Sequence, residues 1–479
     1  MTLRKSMNHF SIIPGKPAIR SFFNDLKEAV AGTEQDFTEG KLSRAILLLS
    51  IPAVLEMIME SIFVIVDIFF VSKLGSDAVA TVGLTETLLT VVYAISLGLA
   101  TATTSLVSRR IGEKKHDQAS RTAVQAILTG VIVSVIIAIP GAIFAKDLLD
   151  LMGASPVIVN EMSGYATIVL AGNIVVMMLF IINAIFRSAG DAAVAMRVLF
   201  IGNLINMILD PCLLFGIGPF PEMGIEGAAV ATTTGRGIAV LYQIWLLLFG
   251  KKRIEISVKH FGIDFRIISR LIRISLGSIG QNLIGTSSWI ALVRIISIFG
   301  SEIVAGYTIA IRIINFILLP SWGISNAAST LVGQNLGAGK PERAERSVMI
   351  TGWINTILLG IVGIIMVVFP ETFINLFIND QAVLKAGTDC LRIISMGFIV
   401  YGLGMVLANS FNGAGDTTTP LMINFFAYWI IEIPLAYFLA LRSGLNENGV
   451  FIAIVIAETI MTLTAFMVFR RGRWKLKEV

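Results

Sequence analysis

Twelve stretches of this chain are apolar for long enough to cross a lipid bilayer, and that constraint leaves few folds open. They run near 44–72, 78–108, 122–145, 157–186, 193–218, 225–249, 271–299, 303–332, 347–369, 386–411, 419–441 and 449–469, numbered here as spans 1 to 12. A helix needs roughly 20 residues to cross the ~30 Å hydrocarbon layer. No water is available there to satisfy a backbone amide, so each segment must close its own hydrogen bonds as a helix. Only 14% of the 479 residues are charged, against roughly 25% in a soluble protein. A soluble enzyme, a disordered chain and a disulfide scaffold are excluded. The expectation is an all-α polytopic membrane protein. Cys212 and Cys390 both lie in apolar runs and give neither a bridge nor a zinc pattern. The first forty residues have scattered charges and no apolar core, so they do not read as a secretory signal. They are expected as a cytoplasmic tail, either mobile or folded into one short amphipathic face on Phe22, Phe23, Leu26 and Val30.

Basic residues set the orientation. Connections after odd-numbered spans hold Lys73, Lys146, Lys385 and Arg442, four of the chain's 37 lysines and arginines. Connections after even-numbered spans, and both ends, hold most of the rest. Span 2 is followed by Arg109, Arg110, Lys114, Lys115 and Arg121, and span 6 by Lys251, Lys252, Arg253, Lys259, Arg266, Arg270 and Arg273. By the positive-inside rule, both termini are expected in the cytoplasm and the chain in the cytoplasmic membrane. The net charge of +5 then reflects topology rather than a nucleic-acid partner.

The chain also repeats itself at an offset of 225 residues. Ser50 falls on Ser275, Gly75-Ser76 on Gly300-Ser301, Gly98 on Gly323, Gly112 on Gly337 and Gly224 on Gly449. Phe186-Arg187-Ser188-Ala189-Gly190-Asp191 falls on Phe411-Asn412-Gly413-Ala414-Gly415-Asp416. Each copy holds six spans, an even number, so the copies are parallel in the membrane, an arrangement found in secondary transporters. The expected organisation is a tail over 1–40, an N-lobe over 41–250, a basic connection over 251–270, a C-lobe over 271–470 and a basic tail over 471–479.

Acids inside the spans are the candidate functional groups, because a carboxylate at mid-membrane costs about 2.5–3.5 kcal/mol even on insertion scales. Glu56, Glu60 and Asp67 of span 1 fall within roughly 40° of one another at 100° per residue. Asn203, Asn206 and Asp210 likewise share a face of span 5. Asp67 and Asp210 both come late in outward-running helices, so they belong at one depth. Two carboxyls that close in low dielectric resist double ionisation; they can hold a proton, or Na⁺ with Asn206 as a further oxygen ligand. Shifted by 225 they become Leu292 and Leu435, so the scaffold itself does not require acids there. Glu56, Glu60, Gln281, Glu432 and Glu458 are candidates for the substrate cavity. For Glu432 and Glu458 a structural pairing with Arg294, Arg312 or Arg392 is the alternative. Pro52 removes an amide from span 1 and is either a hinge or a static kink. His9, His116 and His260 all lie outside the spans, which excludes a histidine relay and, with no Cys–His or His–Glu motif in any span, an intramembrane enzyme. GQNLGAGK lacks the Ser/Thr that follows lysine in a phosphate-binding loop, so no nucleotide is expected and drive must come from an ion gradient.

Several segments together resemble the multidrug and toxic compound extrusion (MATE) family. They are the Pro52–Asp67 helix (SIPAVLEMIMESIFVIVDIFFVSKLG), SRRIGEKKHDQA, NAIFRSAGD, NLINMILDPCLLFGIGPFPEMGIEGAAVAT, LVGQNLGAGKPERA and FNGAGD. The resemblance covers roughly residues 40–470. It implies a V-shaped pair of six-helix lobes and a cation-coupled antiporter that expels organic compounds, with the cation on Asp67, Asp210 and Asn206. It further implies a span 6 threonine, Thr232 or Thr233, with Asn183 and Tyr165 of span 4 as network members, and a bend at Pro52. A C-lobe cation site is in doubt, because the second-half slot of Glu56 is Gln281. No resident cofactor or structural metal is expected beyond the coupling ion, H⁺ or Na⁺. The partners expected are the bilayer and small cationic or amphipathic organic substrates, with the protein a monomer. A lipid-linked oligosaccharide or polysaccharide flippase of the same superfamily is the alternative function, although such flippases commonly have fourteen helices. The major facilitator pattern Gly-x-x-x-Asp-Arg is missing after span 2. Parallel copies require that cysteines placed at Ser76 and Ser301 both react with an impermeant reagent from outside; labelling of either from the cytoplasm alone would overturn the repeat topology.

Overall fold

The computed structural model describes residues 16–32, 35–250, 253–378 and 380–477. His9, Lys251, Lys252 and the side chains of Phe22 and Phe23 lie outside what is described. Every regular element among the described residues is a helix. Nine helices are long and apolar enough to cross a membrane, and Gln381–Met396 with Phe398–Gly413 forms a tenth span bent by 60°. Leu42–Val71 and Ile225–Phe249, at 30 and 25 residues, have the length to complete the twelve. The order is therefore span 1 at Leu42–Val71, span 2 at Ser76–Gly112, span 3 at His116–Ile143, span 4 at Ile158–Ala189, span 5 at Ala192–Phe215 and span 6 at Ile225–Phe249. The second half continues with Phe265–Ile296, Ser301–Gly337, Pro341–Val368, the bent pair, Thr418–Leu441 and Asn446–Arg470. Span 7 thus starts at Phe265, earlier than its apolar run, because Asp264 caps it by accepting from the amides of Arg266 and Ile267.

Several irregularities in the helices obey the repeat, although the π-helical stretches Ile158–Met162 and Phe425–Glu432 do not. Span 4 breaks at Gly172 and span 10 bends at Gly397, 225 residues on. Short 3₁₀ turns, Ser72–Leu74 and Ser297–Phe299, close spans 1 and 7. Gly190 and Gly415 end spans 4 and 10 with φ of 95° and 82°, a left-handed backbone that costs glycine little.

The lobes meet backbone to backbone near the end of the bundle that carries the start of span 1 and the end of span 12. A Cβ placed on Gly112 would lie 1.9 Å from the Gln334 carbonyl oxygen, and one on Gly337 would lie 2.1 Å from that of Arg109. Since 334 and 337 are 109 and 112 shifted by 225, the contact is reciprocal about a pseudo-twofold axis. Gln334 Nε2 also crosses the seam to donate to the Ser188 carbonyl at 2.8 Å.

The described residues before span 1, 16–32 and 35–41, are folded against the bundle, which corrects the expectation of a mobile tail for that part; the first fifteen residues lie outside what is described. The described part includes the helix Lys16–Ala31, and Ala29 and Phe37 enter a core with Ala45 and Leu49 of span 1 and Ala327 and Leu331 of span 8. Arg343 donates to the carbonyls of Phe37, Glu39 and Gly40, and Lys340 to that of Thr38. The stretch between the lobes is pinned as well. Gln125 of span 3 donates to the Gly262 carbonyl and accepts from the Asp264 amide. Lys259 and His260 both reach Asp117, and their hydrogen bonds, that of Lys259 foremost, hold its carboxyl below the usual carboxylate range. At the other terminus Trp474 is buried and stacks on Phe469 with centroids 4.8 Å apart. Gly112→Ala should therefore overpack the seam and lower stability by about 1–3 kcal/mol. Thermal unfolding of the purified protein would show this against Gly285→Ala, a site with open space around it.

Candidate functional site

The acidic face of span 1 turns inward, as desolvation requires. Glu56 is buried and accepts from Arg187 Nη1 of span 4 at 2.9 and 3.1 Å and from Asn183 at 3.1 Å. One turn on, Glu60 accepts from Arg236 of span 6 at 2.6 Å and from Asn203 of span 5 at 3.4 Å. The Arg236 guanidinium sits 5.0 Å from the centroid of the Phe63 ring, a cation–π contact. Each of these acids has its own arginine, and charge burial is met pairwise.

Asp67 is built differently. Its carboxyl lies beside that of Asp210, each within electrostatic reach of the other. Arg236 is also within electrostatic reach of Asp67, but among the described residues neither acid makes an ion pair. Asn206, one turn before Asp210, donates to Thr232 Oγ1 at 2.9 Å and more weakly to Asp210 Oδ1 at 3.4 Å. Tyr165 is buried within electrostatic reach of Asp67, Asp210 and Glu86. Three buried acceptor oxygens on span 5, Asn203 Oδ1, Asn206 Oδ1 and Asp210 Oδ2, have no donor among the described residues. A pair of carboxyls in contact needs a proton or a cation between them, and amide and carboxyl oxygens suit a hard cation. No group of three or more His, Cys, Asp or Glu side chains among the described residues would hold a structural metal.

Other candidates land elsewhere. Asn183 serves the Glu56 pair and accepts from Gln243 at 2.5 Å, so it does not join the Asp67 network. Glu56 is enclosed with Arg187 rather than facing a cavity. Glu60 is part-exposed but committed to Arg236. Thr232, not Thr233, meets Asn206, while Thr233 packs on Gly172. Gln281 donates to Asn412 Oδ1 and the Thr417 carbonyl, tying span 7 to the connection between spans 10 and 11. Glu432 is buried and accepts from Ser288 at 2.6 Å, and Glu458 accepts from Tyr428 at 3.0 Å. Neither pairs with Arg294, Arg312 or Arg392; the last lies 3.9 Å from Asp389. Pro52 stands inside span 1, which runs on through it as helix. The reading of the sequence missed Arg187 and Arg236. Arg236 is the lone base in the apolar run 225–249, and the rule that flagged intramembrane acids applies equally to it.

Comparison with known proteins follows this geometry. The family model described as MatE matches the chain twice, over residues 52–212 and 278–438. The chain belongs to the MatE family. Its relatives include the probable multidrug resistance protein YoeA of Bacillus subtilis, 24% identical over 91% of this chain and 95% of that protein. They also include an FAD transporter of Shewanella oneidensis, 25% identical over 90% of this chain and 95% of that one. A solved multidrug resistance MATE family transporter of the MOP superfamily, in an outward-facing conformation, is 26% identical with a TM-score of 0.86, covering 92% of this chain and 98% of its own. The two matched segments of this MatE protein are the two halves of the repeat, and the twelve helices form the family's paired lobes. Its buried ion pair gives a sharp test. Arg187→Met should destabilise by about 3–5 kcal/mol, because it strands Glu56. The double variant Glu56→Gln/Arg187→Met should recover most of that loss in denaturant or thermal unfolding.

Proposed function

We propose that this MatE protein is a secondary antiporter that exports organic compounds across the cytoplasmic membrane in exchange for inward H⁺ or Na⁺, the cation riding on Asp67 and Asp210. The observation that carries the reading is the contact between two carboxyls that have no ion-pair partner, beside span 5 oxygens that lack donors. Glu56 and Glu60 show how this lobe neutralises an acid that is only structural: each receives an arginine. Among the described residues Asp67 and Asp210 have no ion pair of their own, since Arg236, though within electrostatic reach of Asp67, is paired with Glu60; on this reading they await a mobile charge. The basic connections support a cytoplasmic position for both termini, and on that orientation the glycine seam closes the cytoplasmic side. Substrates are small cationic or amphipathic compounds, the protein works as a monomer, and it uses neither nucleotide nor resident cofactor.

Coupling follows from linkage. Cation bound at Asp67–Asp210 removes repulsion between spans 1 and 5 and lets the outer half of span 1 pack inward, with Pro52 as the weakened point of its ladder. If cation lowers the affinity for substrate by some factor, substrate lowers the affinity for cation by the same factor. Asp67→Asn and Asp210→Asn should each abolish gradient-driven efflux while leaving the protein inserted and folded. Dye efflux from vesicles with a pH gradient or a Na⁺ gradient imposed alone names the ion. Wild-type efflux in either variant, at equal expression, removes that residue from the mechanism.

A further inference from the structure

The inter-lobe connection delivers three arginines to the first turns of span 7, and the cation site does not use them. At 100° per residue Arg266, Arg270 and Arg273 fall within about 60° of one another and cover about 10 Å of helix. All three are exposed, and among the described residues none has an acidic partner. Several other cations on the same face are paired, whereas these three stack along one side of one helix. Arg110 and Lys115 pair with Glu113, Arg121 with Asp264, and Arg470 and Lys475 with Glu345.

The positive-inside rule explains why basic residues gather on this face. It does not explain why three should stack on one side of one helix without counter-charge. The helix dipole opposes them too, since cations are unfavourable in the first turns. Beside them the connection presents bare apolar side chains: Phe261, Ile263 and Phe265 are 52%, 64% and 77% exposed. Farther along span 7, within its apolar run, Leu276 and Leu283 are also exposed. The stripe therefore bridges cytoplasm and hydrocarbon, over a length close to the ~5–8 Å headgroup layer of one leaflet. Basic side chains at that level, flanked by aromatic and aliphatic groups, suit a negatively charged headgroup with its acyl chains alongside.

We infer that Arg266, Arg270 and Arg273 with the 261–265 loop form a binding site for an anionic phospholipid of the cytoplasmic leaflet, at the joint between the lobes. The site depends on the membrane orientation proposed above but not on the coupling ion, and its test does not read transport. Purified full-length protein would be equilibrated with equal phosphatidylglycerol and phosphatidylcholine, and retained lipid counted by native mass spectrometry. Wild type should retain phosphatidylglycerol preferentially. Each Arg→Gln change should weaken that retention about fivefold, from roughly 1 kcal/mol per basic residue near the surface. Arg266→Gln/Arg270→Gln/Arg273→Gln should erase the preference, and the matching triple lysine variant should keep it. Arg346→Gln/Arg471→Gln, also on this face, should leave it unchanged. If the triple glutamine variant fails to insert, Arg270→Gln alone decides. Equal retention of both lipids by wild type, undiminished preference in the glutamine variants, or displacement of the lipid by inorganic phosphate alone would each overturn the site.

Discussion

A carboxylate carried into hydrocarbon must be neutralised, and the N-lobe is arranged around that requirement. Span 1 brings three acids inward on one face. Two of them draw arginines out of spans 4 and 6, and these ion pairs fasten span 1 to the helices behind it. The third is set against another acid instead. Under the proposed antiport, structure and activity would use one physical term with opposite settings: complete where the lobe must hold together, incomplete where a charge must come and go. Glu432 and Glu458 of the C-lobe have hydroxyl donors, Ser288 and Tyr428, in place of arginines.

Rigid packing surrounds this adjustable spot. Glycines let spans 2 and 8 touch along their backbones, while the segment from Lys16 to Gly40, the connection over 253–264 and Trp474 near the C-terminus cover the same end of the bundle. Arg343 alone holds three carbonyls of the N-terminal segment. Any rocking of one lobe against the other would have to break or carry along all of these contacts.

The sequence made the fold legible because hydropathy, charge asymmetry and an in-register repeat are independent signals that agree. The burial cost that marks Asp67, Asp210 and Asn206 in the sequence picks out residues that the fold brings together, and it also anticipates the inward turn of Glu56 and Glu60. The sequence said less about partners. Which base meets which acid depends on how spans 1, 4 and 6 cross, and spacing along one helix does not contain that angle; hence Asn183 was placed with the wrong acid. The N-terminal segment was obscure for a related reason. Its apolar residues are few, and its order comes from Lys340 and Arg343, about three hundred positions away. The bends of spans 4 and 10 were written at Gly172 and Gly397, but a glycine inside an apolar run signals packing as readily as a break.

The reciprocal seam at Gly112 and Gly337 has the geometry of an isologous dimer interface, in which each partner offers the other the same patch. Two separate identical subunits would have to carry every residue in duplicate, so a carboxyl pair in one would be a carboxyl pair in both. Joining the copies in a single polypeptide lifts that restriction. The interface keeps its symmetry, since neither glycine can change without obstructing the opposite lobe, while the interiors are free to diverge. Leu292 and Leu435 can then stand where the first copy has Asp67 and Asp210. Fusion of the halves is therefore what permits a transporter of symmetric frame to assign its charge chemistry to one side only.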